Sequence, residues 1–272
     1  MLLKKAISAA AIGLSLVSGM SAQAAVITNT DGSFAFTGFD WDSNGTAFTT
    51  GFVPVNNAPF TLTAFAWAGN LKNGANNILG LKLDSNADGV SQGLGFYEYT
   101  LRVTLNETVA SCATPTSCTF NITSGAYDIW YDTAPNANAL AGSLGTGFTD
   151  GVKILSGTIA AQAGGTFTVS GLGGTGVTTI FGANSFTNNT FINPNLTATT
   201  ATTTLQLGNA FTNSYVSPGG FNGVAFTAAN LVFQADANQS FSQIPEPESL
   251  ALFGIAMLAG VVATRRKITA KQ

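Results

Sequence analysis

The chain has 272 residues, of which 45% are hydrophobic and only 8% are charged, whereas a typical soluble domain has about a quarter of its residues charged. It contains no histidine, which excludes a Ser-His-Asp triad, a Cys-His dyad and His-ligated zinc. Its 10 Lys and Arg residues are spread over the whole length and cannot form the dense basic patch that nucleic acids require. Composition therefore excludes these classes of enzyme and a nucleic-acid partner.

Residues 1–24 have the organisation of a secretory signal peptide. Two lysines near the N-terminus precede an apolar run from Ala6 to Val17, which is shorter than the roughly 20 residues that span a bilayer. Ala22 and Ala24 fit the small-x-small pattern that precedes a cleavage site. We therefore expect signal peptidase to remove this N-terminal signal helix and the exported chain to begin at residue 25.

The C-terminal segment, residues 244–272, combines a polar motif, a short hydrophobic stretch and a basic cluster. The motif is Pro245, Glu246 and Pro247, the stretch is Leu250–Ala263, and the cluster is Arg265, Arg266 and Lys267. A helix over the stretch would rise about 1.5 Å per residue and reach roughly 21 Å, a marginal transmembrane length. Positive residues after the helix would hold the C-terminus in the cytoplasm, so the chain would be anchored transiently in the inner membrane.

This arrangement of motif, hydrophobic helix and basic cluster resembles the PEP-CTERM sorting domain of Gram-negative bacteria. The resemblance implies that an exosortase, a membrane Cys transpeptidase-like enzyme, recognises and cleaves the tail of an exported protein. A plain C-terminal anchor is the alternative, but it gives the Pro-Glu-Pro motif no role. The resemblance concerns sorting and does not indicate what residues 25–243 do.

Residues 25–243 are expected to form one extracellular domain. They carry 11 acidic and 4 basic residues, a formal charge of −7, because most positive charge lies in the two ends. Polar and apolar residues alternate in segments such as Thr100–Leu105, Thr119–Thr123 and Tyr127–Asp132, and Gly, Asn, Ser and Pro clusters separate these segments. The pattern predicts an all-β fold, an antiparallel β-sandwich with a jelly-roll-like organisation.

Two stretches of the domain differ from this alternation. The glycine-rich segment Gly171–Gly182 is predicted to be a loop. The segment Thr197–Thr204 consists almost entirely of Thr and Ala and is interpreted as an exposed strand or linker, because Thr favours strands. An O-glycosylated segment is the alternative interpretation.

Cys112 and Cys118 are the two cysteines of the exported chain. They enclose Pro115 between two predicted strands, and export delivers the chain to an oxidising compartment. The sequence therefore predicts a disulfide that closes a β-hairpin. A redox-active pair is disfavoured because the spacing lacks the Cys-x-x-Cys geometry that lowers a thiol pKa.

Two segments match the first half of a calcium-binding loop, in which oxygen ligands alternate before a glycine. The candidate ligands are Asp40, Asp42 and Asn44 in the first segment and Asp84, Asn86 and Asp88 in the second. Glycine replaces the bidentate glutamate of such loops at Gly51 and Gly95. Calcium is therefore a possible ligand and no other cofactor is indicated, whereas a pair of Asx turns is the alternative.

The acidic residues of the domain permit a second kind of chemistry. Glycosidases use two carboxylates across a cleft, and the candidates here are Glu98, Glu107, Asp128 and Asp132. Carboxylates near the ends of strands are more often simply solvated, so no catalytic residue is assigned. The tryptophans and tyrosines of the chain could stack on sugars or fill the core of a sandwich.

Several short segments are similar to flocculation-associated PEP-CTERM proteins, which are exported matrix proteins. These segments are Phe39–Trp41, Tyr127–Asp132, Phe148–Gly151 and Phe233–Phe241. The similarity implies a role in cell aggregation together with exopolysaccharide, and it implies no catalytic residue.

Three functions follow from these observations. The first is a non-enzymatic surface or extracellular-matrix protein that supports flocculation or biofilm formation with an exopolysaccharide partner. The second is a calcium-dependent, lectin-like carbohydrate-binding module. The third is an extracellular hydrolase that uses carboxylates alone. The sorting signal, the low charge and the missing catalytic groups favour the first function.

Overall fold

The computed structural model describes residues 25–140, 144–171, 173–208, 217–222, 224–227 and 230–242. These residues form strands, turns and loops with no helix among them, which confirms the predicted all-β class. The predicted signal peptide with Ala22 and Ala24, and the predicted sorting segment from residue 244 onward, lie outside the described residues. Within those ranges there is no helix of the length and hydrophobicity that crossing a membrane requires.

The described strands are numbered in chain order. They are β1 (Ala25–Asn29), β2 (Gly32–Phe36), β3 (Gly38–Thr50), β4 (Pro59–Asn73), β5 (Asn76–Asn77), β6 (Glu98–Thr114), β7 (Ser117–Asp132), β8 (Val152–Ile159), β9 (Gln162–Ser170), β10 (Gly173–Thr187), β11 (Ile192–Asn193), β12 (Thr200–Gly208), β13 (Gly220–Phe221), β14 (Val224–Ala225) and β15 (Val232–Phe241).

The long strands form one antiparallel sheet that closes on itself. Pairing runs from β12 through β15, β3, β4, β6, β7 and β8 to β10, and β10 pairs back with β12. The long strands lie side by side in chain order, so they follow a meander rather than the two Greek keys of a jelly roll. Because the sheet closes, its inner side chains meet across a shared core, as the predicted sandwich requires.

Strands β8 and β9 share one position between β7 and β10. β8 pairs with the C-terminal half of both neighbours, and β9 pairs with their N-terminal half. On β10, the pairing with β8 ends at Gly182 and the pairing with β9 ends at Val177. Phe181 therefore lies beside a break in the sheet, where neither strand offers it a ladder partner.

The alternation predicted from the sequence decides which side chains enter the core. In β6, Leu101, Val103 and Leu105 are buried and Arg102 is exposed. Successive residues of a strand point to opposite faces, so one face of β6 consists of apolar side chains. Each of these side chains contributes roughly 1.5–3 kcal/mol when it is withdrawn from water.

Aromatic rings connect strands that are not neighbours in the sheet. The ring of Phe167 in β9 lies 5.1 Å from that of Phe233 in β15, measured between centroids. Phe52, which follows β3, lies 5.2 Å from Phe167 in an edge-to-face arrangement. These contacts show that opposite parts of the closed sheet pack directly on each other.

A second apolar cluster lies on the outer face of β3 and β4. Phe65 and Trp67 of β4 contact the buried ring of Phe148, which lies in the loop before β8. The hydroxyl of Thr100 donates to the Phe148 carbonyl at 2.8 Å, and the Trp67 indole donates to the Ser85 carbonyl at 2.9 Å. These bonds fix two long loops over the outer face of the sheet.

The segment predicted as a glycine-rich loop is mostly strand. Gly171 forms the turn, and β10 begins at Gly173. A Cβ at Gly174 would collide with the backbone carbonyl of Thr168, so glycine permits the close pairing of β9 and β10. The loop prediction was wrong because glycine serves strand contact here.

The Thr-rich segment enters strand β12 at Thr200, in agreement with the interpretation as a strand. Thr203 points into the core and is buried, whereas Thr204 is exposed. The alternation explains why half of the threonines remain accessible on the outer face. O-glycosylation of these exposed hydroxyls stays a prediction.

The predicted disulfide is present between Cys112 and Cys118. The two residues are directly opposite each other near the end of the β6–β7 hairpin. The side chains of Ser111 and Thr119 share a hydrogen bond of 2.8 Å beside it. The disulfide therefore reinforces a hairpin end that backbone pairing already holds.

Replacing both Cys112 and Cys118 by alanine is expected to lower the free energy of unfolding of the mature protein. The separation of 6 residues encloses only a short loop, so the loss is about 2 kcal/mol. Urea denaturation of the variant and the wild type measures it. Wild-type protein kept in reductant is the control and should match the variant. Equal stability of oxidised and reduced wild type would contradict the prediction.

Glu107 is a carboxyl group buried in the core. Its side chain is 2% exposed, and both carboxylate oxygens lack a hydrogen-bond partner. Burial raises the pKa of Glu107 to about 8 because a charge is costly in an apolar environment. The group is therefore protonated in the folded protein at neutral pH, whereas in the unfolded chain it ionises near pH 4.3.

The free energy of unfolding is expected to fall as pH rises from about 5 to 8, because the folded state retains a proton that the unfolded chain loses. The contribution of Glu107 to the free energy of unfolding is complete at pH values below its pKa in the unfolded chain. It is lost as pH rises through its pKa in the folded protein. The Glu107→Gln variant is expected to lack the part of this decline in the free energy of unfolding that Glu107 causes, which is on the order of a few kcal/mol. The smaller decline caused by the buried Glu98 would remain.

Urea denaturation at pH 5 and pH 9 measures this effect. Asp128→Asn is the control, since Asp128 is partly exposed and ion-paired with Lys153, and it should retain the wild-type decline between the two pH values. A Glu107→Gln variant with an undiminished decline would contradict the assignment.

Candidate functional site

A cleft of about 510 Å³ opens beside the ends of β1 and β7 and the start of β8. Residues from four separate parts of the chain line it, namely Thr28, Asn29, Thr30, Tyr131, Asp132, Thr133, Asp150, Gly151, Val152, Thr190 and Phe191. Strand β1 pairs with β11 and β2 in a small separate sheet, and the Thr28 amide donates to the Phe191 carbonyl at 2.7 Å. This pairing brings Phe191 to the cleft.

The cleft contains both aromatic and aliphatic surface. The rings of Tyr131 and Phe191 lie 5.2 Å apart. Tyr131 is almost fully buried, Phe191 is partly exposed, and half of the Val152 side chain is exposed. A ligand in the cleft would therefore contact an apolar surface formed mainly by Phe191 and Val152.

A network of tyrosines fixes the inner side of the cleft. The Asn29 amide donates to the hydroxyl of Tyr97 at 3.0 Å and to that of Tyr99 at 3.2 Å. The Tyr97 hydroxyl donates to Asp31 at 3.0 Å. Burial raises the pKa of both tyrosines far above the usual range, so their hydroxyls stay protonated. These bonds hold the end of β1 against the main sheet.

Two carboxylates border the cleft. Asp132 accepts the Ala134 amide at 2.8 Å, and Asp150 accepts the side-chain amide of Asn136 at 3.0 Å. Asp132 is partly exposed and Asp150 is exposed. Since an ionised carboxylate has several acceptor positions, both can accept hydrogen bonds from a ligand.

Glu98 lies opposite Asp132 in the sheet and is inaccessible. It is 1% exposed and accepts the backbone amides of Asn136 at 3.0 Å and Ala137 at 3.1 Å. Burial raises the pKa of Glu98 to about 7, and the charge of Asp132 adds to this effect. Glu98 therefore anchors the loop that follows β7 and does not face the cleft contents.

The cleft combines acceptor groups with an apolar surface. Carboxylates at its border and threonine hydroxyls can bind hydroxyl groups, and the aromatic and aliphatic side chains can contact C–H groups. A concave site with few polar groups around an apolar surface is the usual form of a small-molecule site. This arrangement suits a hydroxylated ligand such as a sugar.

The first predicted calcium segment is part of strand β3 and is not a loop. Pairing between β3 and β4 skips from Trp41 to Thr46, which indicates an irregular, bulged strand. Asp40 forms an ion pair with Lys72 at 2.9 Å, and Asp42 accepts the Asn44 amide at 2.8 Å. The bond from Asn44 to Asp42 is that of an Asx turn, which agrees with the alternative interpretation, and a bulge places this turn within a paired strand.

A third carboxylate, Asp236 of β15, lies close to this segment. Burial raises the pKa of Asp236, and the charges of Asp40 and Asp42 raise it further. Burial also raises the pKa of Asp42. Repulsion among these groups is balanced in part by Lys72.

The second predicted calcium segment is a loop of Asx turns. Asp84 is buried and accepts the amides of Asn86 at 3.2 Å and Gln92 at 3.0 Å. Asp88 accepts the Val90 amide at 2.9 Å. In the part of the chain that the structure describes, no group of three or more Asp, Glu, His or Cys residues is arranged to hold a metal ion. Calcium binding stays a prediction for both segments.

Of the four carboxylates considered for hydrolysis, Glu98 and Asp132 are neighbours on paired strands, and the four do not form one site. Asp128 pairs with Lys153 at 2.8 Å, Glu107 is enclosed in the core, and Glu98 holds backbone amides. Asp132 alone of the four lines the cleft, and Asp150 is the other carboxylate in its lining.

Sequence reasoning missed most of the cleft. Tyr131, Asp132 and Asp150 belong to segments recognised in the sequence. Asn29 and Phe191 carry no local pattern that links them to these residues. The pairing of β1 with β11 brings Asn29 close to Phe191, and the pairing of β7 with β8 brings Asp150 close to Asp132.

The predicted sorting residues Pro245, Glu246, Pro247, Arg265, Arg266 and Lys267 lie outside the described residues. Residues 243–267 match the family model described as the PEP-CTERM protein-sorting motif. No curated protein and no solved structure matches the chain. The chain thus carries a PEP-CTERM protein-sorting motif, which implies an exported protein that is processed at the membrane with an exosortase as the processing partner.

Proposed function

We propose that this protein is a non-enzymatic component of the extracellular matrix that supports exopolysaccharide-dependent cell aggregation. The sorting motif provides for export and processing at the membrane. The observation that carries the proposal is the composition of the domain, since no charged residue occurs between Lys153 and Asp236. This segment supplies β9, β10 and β12, whose outward residues are mostly Thr, Ser and Gln.

An outer face of this kind suits a hydrated, hydroxyl-rich polymer. Hydroxyl and amide side chains exchange hydrogen bonds with water for hydrogen bonds with sugar hydroxyls, and no charge has to be desolvated. The similarity of several short segments to flocculation-associated proteins points in the same direction. The polymer would then be the exopolysaccharide that surrounds the cells.

Deletion of the gene is expected to abolish cell aggregation, because the matrix loses a protein that joins cells to polymer. Settling of the culture and microscopy of the aggregates measure the effect, and a wild-type copy should restore it. A copy with Pro245→Ala and Pro247→Ala should not restore aggregation, since sorting fails. Thr269→Ala, outside the matched residues 243–267, is the control and should restore it.

Normal settling of the deletion strain would overturn the proposed function. Full rescue by the double proline variant would show that aggregation does not depend on exosortase sorting.

A hydrolase is the second candidate, because Asp132 and Asp150 line the same cleft. Carboxylate-only glycoside hydrolysis needs two such groups on either side of the bond. Incubation with purified exopolysaccharide and assay of new reducing ends tests this candidate. We expect no release by the wild type. Release that Asp132→Asn and Asp150→Asn each abolish would identify a hydrolase.

Calcium-dependent carbohydrate binding is the remaining alternative, and the loop with Asp84 and Asp88 would carry it. Thermal unfolding with millimolar calcium or magnesium tests it, as weak sites are typical of extracellular modules. We expect the same melting temperature in both salts. A rise with calcium that Asp88→Asn removes would favour the metal-dependent module.

A further inference from the structure

Two rows of outward side chains cross the uncharged part of the sheet at right angles to its strands. In the first row, the register places Phe181 of β10 opposite Thr202, Thr202 opposite Ser240, and Ser240 opposite Gly38. Lys72 of β4 follows Gly38. Adjacent strands lie about 4.8 Å apart, so the four steps from Phe181 to Lys72 cover about 19 Å.

The second row runs beside the first. It places Thr179 of β10 opposite Thr204, Thr204 opposite Asn238, and Asn238 opposite Asp40. The two rows together are called the hydroxyl track below, defined by Phe181, Thr202, Ser240, Thr179, Thr204 and Asn238. Its polar groups are hydroxyls and an amide on paired strands, so their spacing is set by the sheet.

A groove of about 330 Å³ lies along one end of the hydroxyl track. Thr202, Thr204, Asn238 and Ser240 line it, together with the backbone around Gly38. A Cβ at Gly38 would overlap the backbone carbonyl of Gln239, so this position cannot carry a side chain. The groove is therefore a consequence of the close pairing between β15 and β3.

At the other end of the track, Phe181 is 55% exposed. Its backbone lies beside the break between β8 and β9, where the side chain of Gln162 substitutes for a strand. The Gln162 amide nitrogen donates to the Phe181 carbonyl at 2.8 Å, and the Phe181 amide donates to the Gln162 side-chain oxygen at 3.0 Å. An apolar ring is thus held in solvent on a fixed backbone, against its tendency to be buried.

The border of the track is acidic, because Asp42 and Asp236 lie near the ion pair and carry no opposite charge of their own in the described structure. Asp40 and Lys72 form an ion pair of 2.9 Å next to the groove, and β10 and β12 contain no charged residue. A polyanion would find no unpaired basic groups here, which its binding requires. An uncharged glycan offers hydroxyls to the polar side chains and a C–H face to Phe181.

We infer that the hydroxyl track binds one chain of an uncharged polysaccharide, with a sugar ring on Phe181 and the following sugars extending toward the groove. The inference rests on the proposed function, because it identifies the surface by which the protein holds the matrix polymer. Thr202 and Ser240 lie between the two ends and bind sugar hydroxyls. The track is separate from the cleft at Asp132 and Asp150.

Binding of the mature protein to soluble dextran, to alginate and to the strain's purified exopolysaccharide tests the inference. Affinity electrophoresis and calorimetry measure the dissociation constants. The wild type is expected to bind dextran or the purified polymer and to bind alginate, which is anionic, more weakly. Phe181→Ala should weaken binding roughly tenfold, equal to about 1.4 kcal/mol, and Thr202→Glu should weaken it at least as much.

Phe186→Ala is the matched control, because Phe186 is 42% exposed on the same strand but lies opposite Ser156 of β8, away from the track. It should bind as the wild type does. Thermal unfolding of each variant establishes that it is folded. Equal binding by Phe181→Ala and the wild type, or loss of binding in Phe186→Ala alone, would overturn the inference.

Two further outcomes separate the inference from its alternatives. Analytical sedimentation measures whether the wild type is a dimer and whether Phe181→Ala is a monomer. Such a result would assign the track to contact with a second copy of the chain and would overturn the inference. The deletion test decides the proposed function independently. If deletion abolishes aggregation and a Phe181→Ala copy restores both aggregation and polymer binding, the matrix function stands and the track is wrong.

Discussion

The pairing of β10 with β12 is the contact on which the rest of the domain depends. It joins the two ends of a long antiparallel sheet, so both strands have a neighbouring strand on each side over most of their length. Exposed edges are where sheet proteins pair wrongly with other chains, and charged residues usually protect them. A chain with so few charges lacks that protection, and closure replaces it.

Closure also separates the roles of neighbouring residues. Along β12, Ala201, Thr203 and Leu205 enter the core, while Thr202 and Thr204 face outward. The same alternation that fills the interior therefore presents hydroxyls at regular intervals outside. A core built this way tolerates one buried carboxyl, Glu107, because the group keeps its proton.

The sequence predicted the features that depend on local pattern. The strands around Leu101–Leu105, the disulfide of Cys112 and Cys118 and the sorting motif all follow from short segments, and the structure or the family match confirms them. The glycine-rich β10 was wrongly predicted as a loop, because the sequence does not show which glycines make close strand contacts. The sequence also did not show that the Asx turn at Asp42 lies within a bulged strand, as bulges and turns use the same polar residues.

The candidate sites were less predictable than the fold. The cleft joins Asn29 to Asp150 and Phe191, which both lie more than a hundred residues further along the chain. Only sheet pairing relates them. Phe181 stands out only when the break between β8 and β9 is known, since an isolated phenylalanine in a sequence is normally assigned to the core. Long-range register therefore decides the function of residues whose local context is uninformative.

The ion pair between Asp40 and Lys72 and the uncharged strands beside it have a consequence for the environment in which the protein works. Contacts between opposite charges weaken as dissolved ions screen them, over a distance of about 10 Å at 0.1 M salt. Contacts made by hydroxyls, amides and an aromatic ring have no such dependence. Cells held together through this face would stay together when fresh water replaces brackish water, or the reverse.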